Sequence, residues 1–495
     1  ERVAKVAARP QGVTPGIMSY YVARSRHEGA TRYYVYAASE VDLSNGAEPV
    51  HDSDHLAILG LLRLRPGDAL LFRAGDTFYG GVHFDALTGE ADAPITIGRF
   101  GDGPRPVVDG SGAFAALWLD NPSHVVVEGL EITNAAGNYG IYMEGRDAGR
   151  LPGITVQDVD VHDVFAAGNE LAVSEHYGSI GHVYKYMGGI HACIKRGSEP
   201  TWWDGFSVRR SYIHDLASCG ISMDSAYRFH RAAEAGRDVY PSVGVVIEDN
   251  IIDGTAKDGA IIKEVDGAVI QHNRVSRTGM VSTSNGLWYY ASRRSVIQRN
   301  EGYGCLAPMG NDGGPFSIDN DCRDCEITGN YSHDNEGPGF MLFGRWGTGK
   351  GCVARGNVSY NDNGADPSLP SYATDKGGWG SFTVIGPAGE MLVEDNLLVA
   401  GPDTKRVLAH HDWDGSPVEV RYRGNRFCGA GTADVGPEVP TATRFEAGNV
   451  FEDVANLPRG LASTTAGAAR DRAFAEQAAS EFPYGPRETS FRHLL

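Results

Sequence analysis

Seven apolar stretches in the second half of the chain end in the same residue: Asn250, Asn273, Asn300, Asn330, Asn357, Asn396 and Asn425. The steps between them run from 23 to 39 residues. A self-similar period in that range marks a solenoid, in which each repeat buries its apolar face only by stacking on its neighbours. The repeated units are short and alternating, rich in Val, Ile and Thr, with Gly and Asn at their corners. That is a strand pattern and not a helix-pair pattern. An asparagine recurring at one corner can hydrogen-bond to its counterpart in the coils above and below. The period therefore predicts an all-β fold, a single parallel β-helix.

A chain of 495 residues would ordinarily hold two or three domains. A solenoid lifts that expectation, because its core grows in one dimension. The 65 glycines fit a fold that turns every few residues. A formal net charge of -19 argues against nucleic acid and anionic membrane as partners. No apolar run approaches the ~18–20 residues of a membrane span. The sequence opens at Glu1 without a basic-apolar leader, which suits a mature protein, so a secreted or periplasmic location is the expectation. Seven cysteines leave at least one unpaired within the chain. Cys322 and Cys325 form a Cys-x-x-Cys with no second pair to complete a zinc site, so buried thiols, with at most one bridge, are expected.

Along the chain, residues 1–64 are expected to supply a strand near 33–37 and a capping helix over 53–64, which opens on Ser53 and Asp54. The helix would cover the apolar end of the solenoid. Residues 65–450 make the coils of a catalytic β-helix domain, and 451–495 a C-terminal extension with a helix at 463–482. Three insertions, 176–204, 225–242 and 361–380, break the coil length and are expected to build a binding face. They carry aromatic and basic residues that suit sugar rings, among them His191, Trp202, Trp203, Arg228 and Trp379.

One strand of each coil follows a glycine or another small residue. In these units the second and fourth residues are apolar, as in Ile221/Met223, Ala260/Ile262 and Phe316/Ile318. Strand side chains alternate, so the third and fifth residues point outward. The fifth position reads Glu144, Asp224, Lys263, Tyr290, Asp319, with His410 in the same place further on. Adjacent coils lie ~4.8 Å apart, so Asp224, Lys263, Tyr290 and Asp319 should form a polar ridge. Asp321 follows two residues after Asp319 and would share its face. Trp202, Trp203, Trp288, Trp346 and Trp379 are candidate sugar platforms, and His191 and His410 candidate substrate ligands.

Several motifs carry a resemblance. Asp76-Thr-Phe, Ala93-Pro-Ile-Thr-Ile-Gly and the run to Asp109-Gly110 are similar to the opening coils of right-handed parallel β-helix proteins of the pectate-lyase-like superfamily. Residues 330–340 resemble a recurrent coil of the same proteins. Asp258-Gly-Ala-Ile-Ile-Lys263 resembles the strand of family-nine pectate lyases that bears the catalytic lysine. The resemblance covers about 65–450 and implies a carbohydrate-active enzyme on a polysaccharide or oligosaccharide, with Lys263 as Brønsted base. The chain departs from chondroitinase-type lyases, which place an arginine where it has Tyr290.

Two chemistries follow. In the preferred one, β-elimination, Arg345, Arg228 or a Ca²⁺ held near Asp319 and Asp321 neutralises a uronate. Lys263 then removes the C5 proton, and Tyr290 serves the leaving oxygen. A lysine base must be neutral, whereas Asp224 and Glu264 favour its charge. In the alternative, an inverting hydrolase, Asp319 and Asp321 stand ~6.5–7 Å apart by strand rise and admit a water. Asp224 lies three coils away, ~14 Å, too far to complete that pair directly. A uronate epimerase or a carbohydrate-binding protein are lesser readings.

Overall fold

The computed structural model describes residues 20–37, 48–53, 55–165, 187–195, 198–225, 240–281, 284–308, 310, 312–344, 349–365, 368, 379–386, 389–412, 415, 419–429, 434–436, 442–458 and 460–462. Among them, strands fall into three sheets of 18, 13 and 11 members, named here A, B and C. Each coil visits the sheets in that order. Val246–Glu248 lies in A, Ile251–Thr255 in B and Ala260–Lys263 in C. The next coil repeats the course with Val269–Gln271, Arg274–Ser276 and Asn285–Tyr290. Pairing between coils is parallel and in register, as in Val246↔Val269↔Val296. The fold is a parallel β-helix.

The inward positions of the three sheets make one continuous core. Ile247, Ile252 and Ile262 from one coil, and Ile270, Val275 and Tyr289 from the next, are all fully buried. Burying an aliphatic side chain of this size contributes roughly 1.5–3 kcal/mol, and each coil does so only by resting on its neighbours. All seven cysteines are buried, and none is in a disulfide.

The predicted asparagine line forms at the corner between sheets A and B. The Asn273 Oδ1 accepts both the backbone N–H of Asn250 and its side-chain amide, each at 3.0 Å. The same two bonds recur at 2.8–3.1 Å through Asn300, Asn330, Asn357, Asn396 and Asn425. The ladder runs one coil further than the sequence reading found, to Asn449. At its other end Ser211 donates its backbone N–H to Asn250. Each residue just before a ladder asparagine is left-handed, from Asp249 (φ 56°) to Gly424 (φ 66°). Gly and Asp tolerate that bend best, which explains the Gly-Asn and Asp-Asn corners.

At the N-terminal end, Ala30–Tyr36 pairs antiparallel with Tyr20–His27 and parallel with Ala69–Arg73. The expected helix over 53–64 is a shorter 3-10 helix, Leu56–Leu61, with Leu56 and Leu59 buried in the main core. Its N-cap His55 makes no side-chain capping bond, and Gly60 sits against the His83 carbonyl. Without a cap, and with Gly60 and then Pro66 in the run, a longer α-helix has little support. The helix expected at 463–482 lies outside the described residues.

Removing a ladder member should be costly. Asn300→Ala removes the acceptor of the Asn273 backbone N–H and of one of its side-chain N–H groups, and takes a donor from the Ile270 carbonyl, all in the interior. At about 1–3 kcal/mol for each orphaned group, urea unfolding should show a loss on the order of 3–5 kcal/mol.

A second prediction concerns pH. Burial opposes charge on His333, but the Asp334 carboxylate at 2.8 Å and Glu301 overcome it and raise the imidazole to about 9. Because the folded value lies above the ordinary one, this stabilisation is present below about pH 6.5. It is lost as pH rises through about 9. Thermal melts should show the destabilisation by His333→Gln shrinking between pH 6 and pH 10.

Candidate functional site

The outward face of sheet C carries the predicted ridge. Its register runs Glu144↔Cys193↔Asp224 through three coils, and Lys263 lies opposite Tyr290 in the next two. The Asp319 backbone N–H donates to the Tyr289 carbonyl at 2.9 Å, which places Asp319 beside Tyr290. Beyond it the column turns apolar, with Phe343 opposite Ile385.

The ridge contains one coil that sequence reasoning missed. Gly188–Ile194 is a sheet C strand between Tyr139–Gly145 and Cys219–Ser225. The span 176–204 is therefore not wholly an insertion. The signal was present: Gly189-Ile-His-Ala-Cys193 has the same small-apolar-x-apolar-x pattern as its neighbours.

At the centre, the Lys263 Nζ lies 3.5 Å from Asp224 Oδ1, and the two side chains are 5% and 6% exposed. The same Nζ sits 5.3 Å from the centroid of the Tyr290 ring. Both contacts attract a lysine only while it carries its charge. Burial also pushes the Cys193 thiol up to about 12, and although the Tyr142 hydroxyl bond works the other way, Glu144 and Asp224 add to the rise. The thiol is thus protonated at neutral pH and is not a nucleophile.

Asp258 opens the Lys263 strand motif and orients a tryptophan. Its Oδ1 accepts the Trp288 indole N–H and the Asn285 backbone N–H, both at 3.0 Å. Trp288 is half-buried on the outward face. On the preceding coils, His191 lies in the same outward column but is buried, its Nδ1 2.6 Å from Ser222 Oγ. Its ring stacks on Tyr139 and Tyr142. Tyr142 donates to Glu144 Oε2 at 3.0 Å, and Lys195 Nζ stands 3.4 Å from Glu144 Oε1. Asp120, the next acid of the column, accepts the Trp118 indole N–H at 2.7 Å.

Other expected positions differ. Asp319 and Asp321 do not share a strand. Gly314–Ile318 ends first, and a turn follows in which the Cys322 N–H donates to the Asp319 carbonyl, with Asp321 at φ 62°. A positive φ at the third residue of such a turn breaks the alternation that put both acids on one face. Asp321 is buried at the corner, whereas Asp319 is half-buried. His410 is one register step from the place predicted. It pairs with Val384 on the inward column and hydrogen-bonds Tyr422 Oη at 2.7 Å, while His411 takes the outward place. Burial, with His411 beside it, lowers His410 to about 3, so it is a neutral core group.

Of the tryptophans, Trp203 is fully buried in the core, because Trp202 and Trp203 alternate on a sheet A strand. Trp202 faces outward there and stacks on Tyr240, away from sheet C. Trp379 is 2% exposed, packed with Met341, Phe343 and Ile385. Neither Trp203 nor Trp379 offers a ring to a sugar. Arg228, Arg345 and Trp346 lie outside the described residues. Asp319 and Asp321 belong to no cluster of three or more His, Cys, Asp or Glu ligand atoms among the described residues.

Residues 199–366 match the family model described as a right handed beta helix region. The chain is 22% identical to a lacto-N-biosidase of Bifidobacterium longum subsp. longum, over 76% of this chain and 29% of the relative. Two crystal structures of a GH136 lacto-N-biosidase from Eubacterium ramulus are also similar. The native protein gives a TM-score of 0.57 at 17% identity, covering 80% of this chain and 64% of that one. The selenomethionine derivative gives 0.56 at 18%, covering 75% and 64%. The chain thus spans less than two thirds of each relative. Likeness at this identity establishes the fold, a right-handed parallel β-helix.

The buried pair can be tested directly. Lys263→Met removes the ammonium 3.5 Å from the buried Asp224 carboxylate and should cost about 3–5 kcal/mol. Adding Asp224→Asn should recover part of that loss, read by urea unfolding of the single and double variants.

Proposed function

We propose that the protein is a carbohydrate-active enzyme, and within that class a glycoside hydrolase, whose glycan lies across the outward face of sheet C. The observation that carries the choice is the environment of Lys263. Elimination needs a neutral lysine to take the C5 proton. Here the ammonium is paired with Asp224 and lies over Tyr290. A lysine so held orients a substrate or a carboxylate and makes a poor base. Hydrolysis relies on carboxyl groups instead, and Asp319 lies on this face beside Tyr290. Asp319, half-buried beside Tyr290, is the reacting acid in this reading, and Trp288, steadied by Asp258, is the sugar platform. The turn after Ile318 keeps Asp319 and Asp321 off one strand, so they do not form the spaced pair of an inverting enzyme. Similarity to lacto-N-biosidases over most of the chain supports hydrolysis and requires no uronate in the substrate. No helix among the described residues is long and apolar enough to cross a membrane. A glycan substrate fits the secreted or periplasmic location expected above.

The test is product analysis on two substrate sets, oligosaccharides carrying the lacto-N-biose unit and polyuronates. Hydrolysis should release a saturated sugar, and Asp319→Asn should lower the rate by about 10²–10⁴. An unsaturated uronate product, detected by its ultraviolet absorbance and abolished by Lys263→Met, would replace this reading with elimination.

A further inference from the structure

Away from sheet C, the outward face of sheet B gathers histidines and carboxylates from three successive coils. Glu131 pairs with Asp160, and His162 with His214, in adjacent parallel strands. Ligand atoms of Asp160, His162 and His214 all lie within 4.8 Å of one another. The Nε2 of His214 is 3.2 Å from Asp160 Oδ1, and the Nε2 of His162 is 3.3 Å from Glu131 Oε1. We propose that Asp160, His162 and His214, with Glu131 as a further oxygen donor, bind one divalent first-row transition-metal ion of the Zn²⁺ class and so clamp three coils together.

The second observation is the setting of each imidazole. The Nδ1 of His162 lies 2.8 Å from Asp163 Oδ2, and the Nδ1 of His214 lies 2.7 Å from Asp215 Oδ2. A carboxylate on the far nitrogen is what fixes the ring and tautomer of a metal-binding histidine. Asp163 and Asp215 are both left-handed (φ 52° and 49°), the bend that returns each carboxylate to the ring before it. Tyr212 stacks behind His214 at 3.8 Å.

Size and donor type select the ion. Zinc bonds to nitrogen and oxygen are about 2.0–2.2 Å, so two ligand atoms on one ion stand at most about 4.4 Å apart. The group must therefore close by a few tenths of an ångström. The two imidazoles are stacked at 4.8 Å and 15°, so they must also turn for both Nε2 atoms to face one ion. Side-chain exposures of 16–18% place the three ligands at the surface, and the Nδ1–carboxylate bonds to Asp163 and Asp215 must follow the rings as they tilt. Imidazole with carboxylate suits Zn²⁺, Ni²⁺ or Cu²⁺, whereas Ca²⁺ and Mg²⁺ prefer oxygen alone.

The chain contains its own control. His333 repeats the corner motif with Asp334 at 2.8 Å and Glu301 at 3.5 Å. It stacks on Tyr303 and Tyr331, and its register neighbours on the two adjacent coils are Tyr303 and Tyr360, where His162 has His214.

Calorimetry and thermal melts of the full chain, stripped with a chelator and then given Zn²⁺, test the proposal. Binding of one ion with a raised Tm is expected. His162→Gln and His214→Gln should each weaken it at least tenfold, and Asp163→Asn by about 10–100-fold. His333→Gln should leave it unchanged, and Ca²⁺ should not compete. Asp163→Asn keeps every ligand, so it remains informative if a histidine variant misfolds, which circular dichroism would show. Absence of Zn²⁺ binding, or binding indifferent to His162, His214 and Asp163, would overturn the assignment.

Discussion

The structure depends on one corner interaction, the asparagine ladder. A coil of short strands cannot bury its apolar residues alone, so everything rests on stacking coils in fixed register. At the corner between sheets A and B, one side-chain amide satisfies two donors of the coil before it. Its own N–H groups reach a carbonyl one coil back and the next asparagine oxygen. An unmet buried amide costs about 1–3 kcal/mol, so slipping one coil by a residue would break the ladder while also turning core residues outward. Register is specified twice, by the ladder and by the core.

That register makes function possible on a surface built from distant segments. Because each coil repeats the same path, residues from separate stretches become columns. The outward column of sheet C brings Asp224, Lys263 and Tyr290 together, with Asp319 beyond. Charge then decides what the column can do. In the proposed reading, a lysine tied to a carboxylate and an aromatic face is an anchor, and the chemistry falls to the carboxyl groups.

Much of this was legible in the sequence because a β-helix is nearly one-dimensional. The asparagine period gave the fold, and the apolar second and fourth positions gave the ridge. What escaped were local breaks of the repeat. Strand Gly188–Ile194 was masked by long flanking segments that made its region look like an insertion. A one-residue error in the last coil put His410 outward, where the inward partner of Val384 belongs. The Asp319–Cys322 turn could not be told from a continuing strand, since Asn and Asp suit both a left-handed corner and an exposed strand end. Trp203 and Trp379 were misplaced because aromatic composition does not distinguish a sugar platform from a core filler. The pairing of His162 with His214 needed the coil register, which the early coils, lacking ladder asparagines, do not announce.

The central claim is that water, and not elimination, cleaves the glycosidic bond on the sheet C face. Turnover in oxygen-18 water, followed by mass spectrometry of the products from any glycan the protein cleaves, addresses it most directly. The account predicts that one product sugar carries a single solvent oxygen, and that this labelled product disappears in Asp319→Asn. Unlabelled products bearing a new carbon–carbon double bond would contradict it.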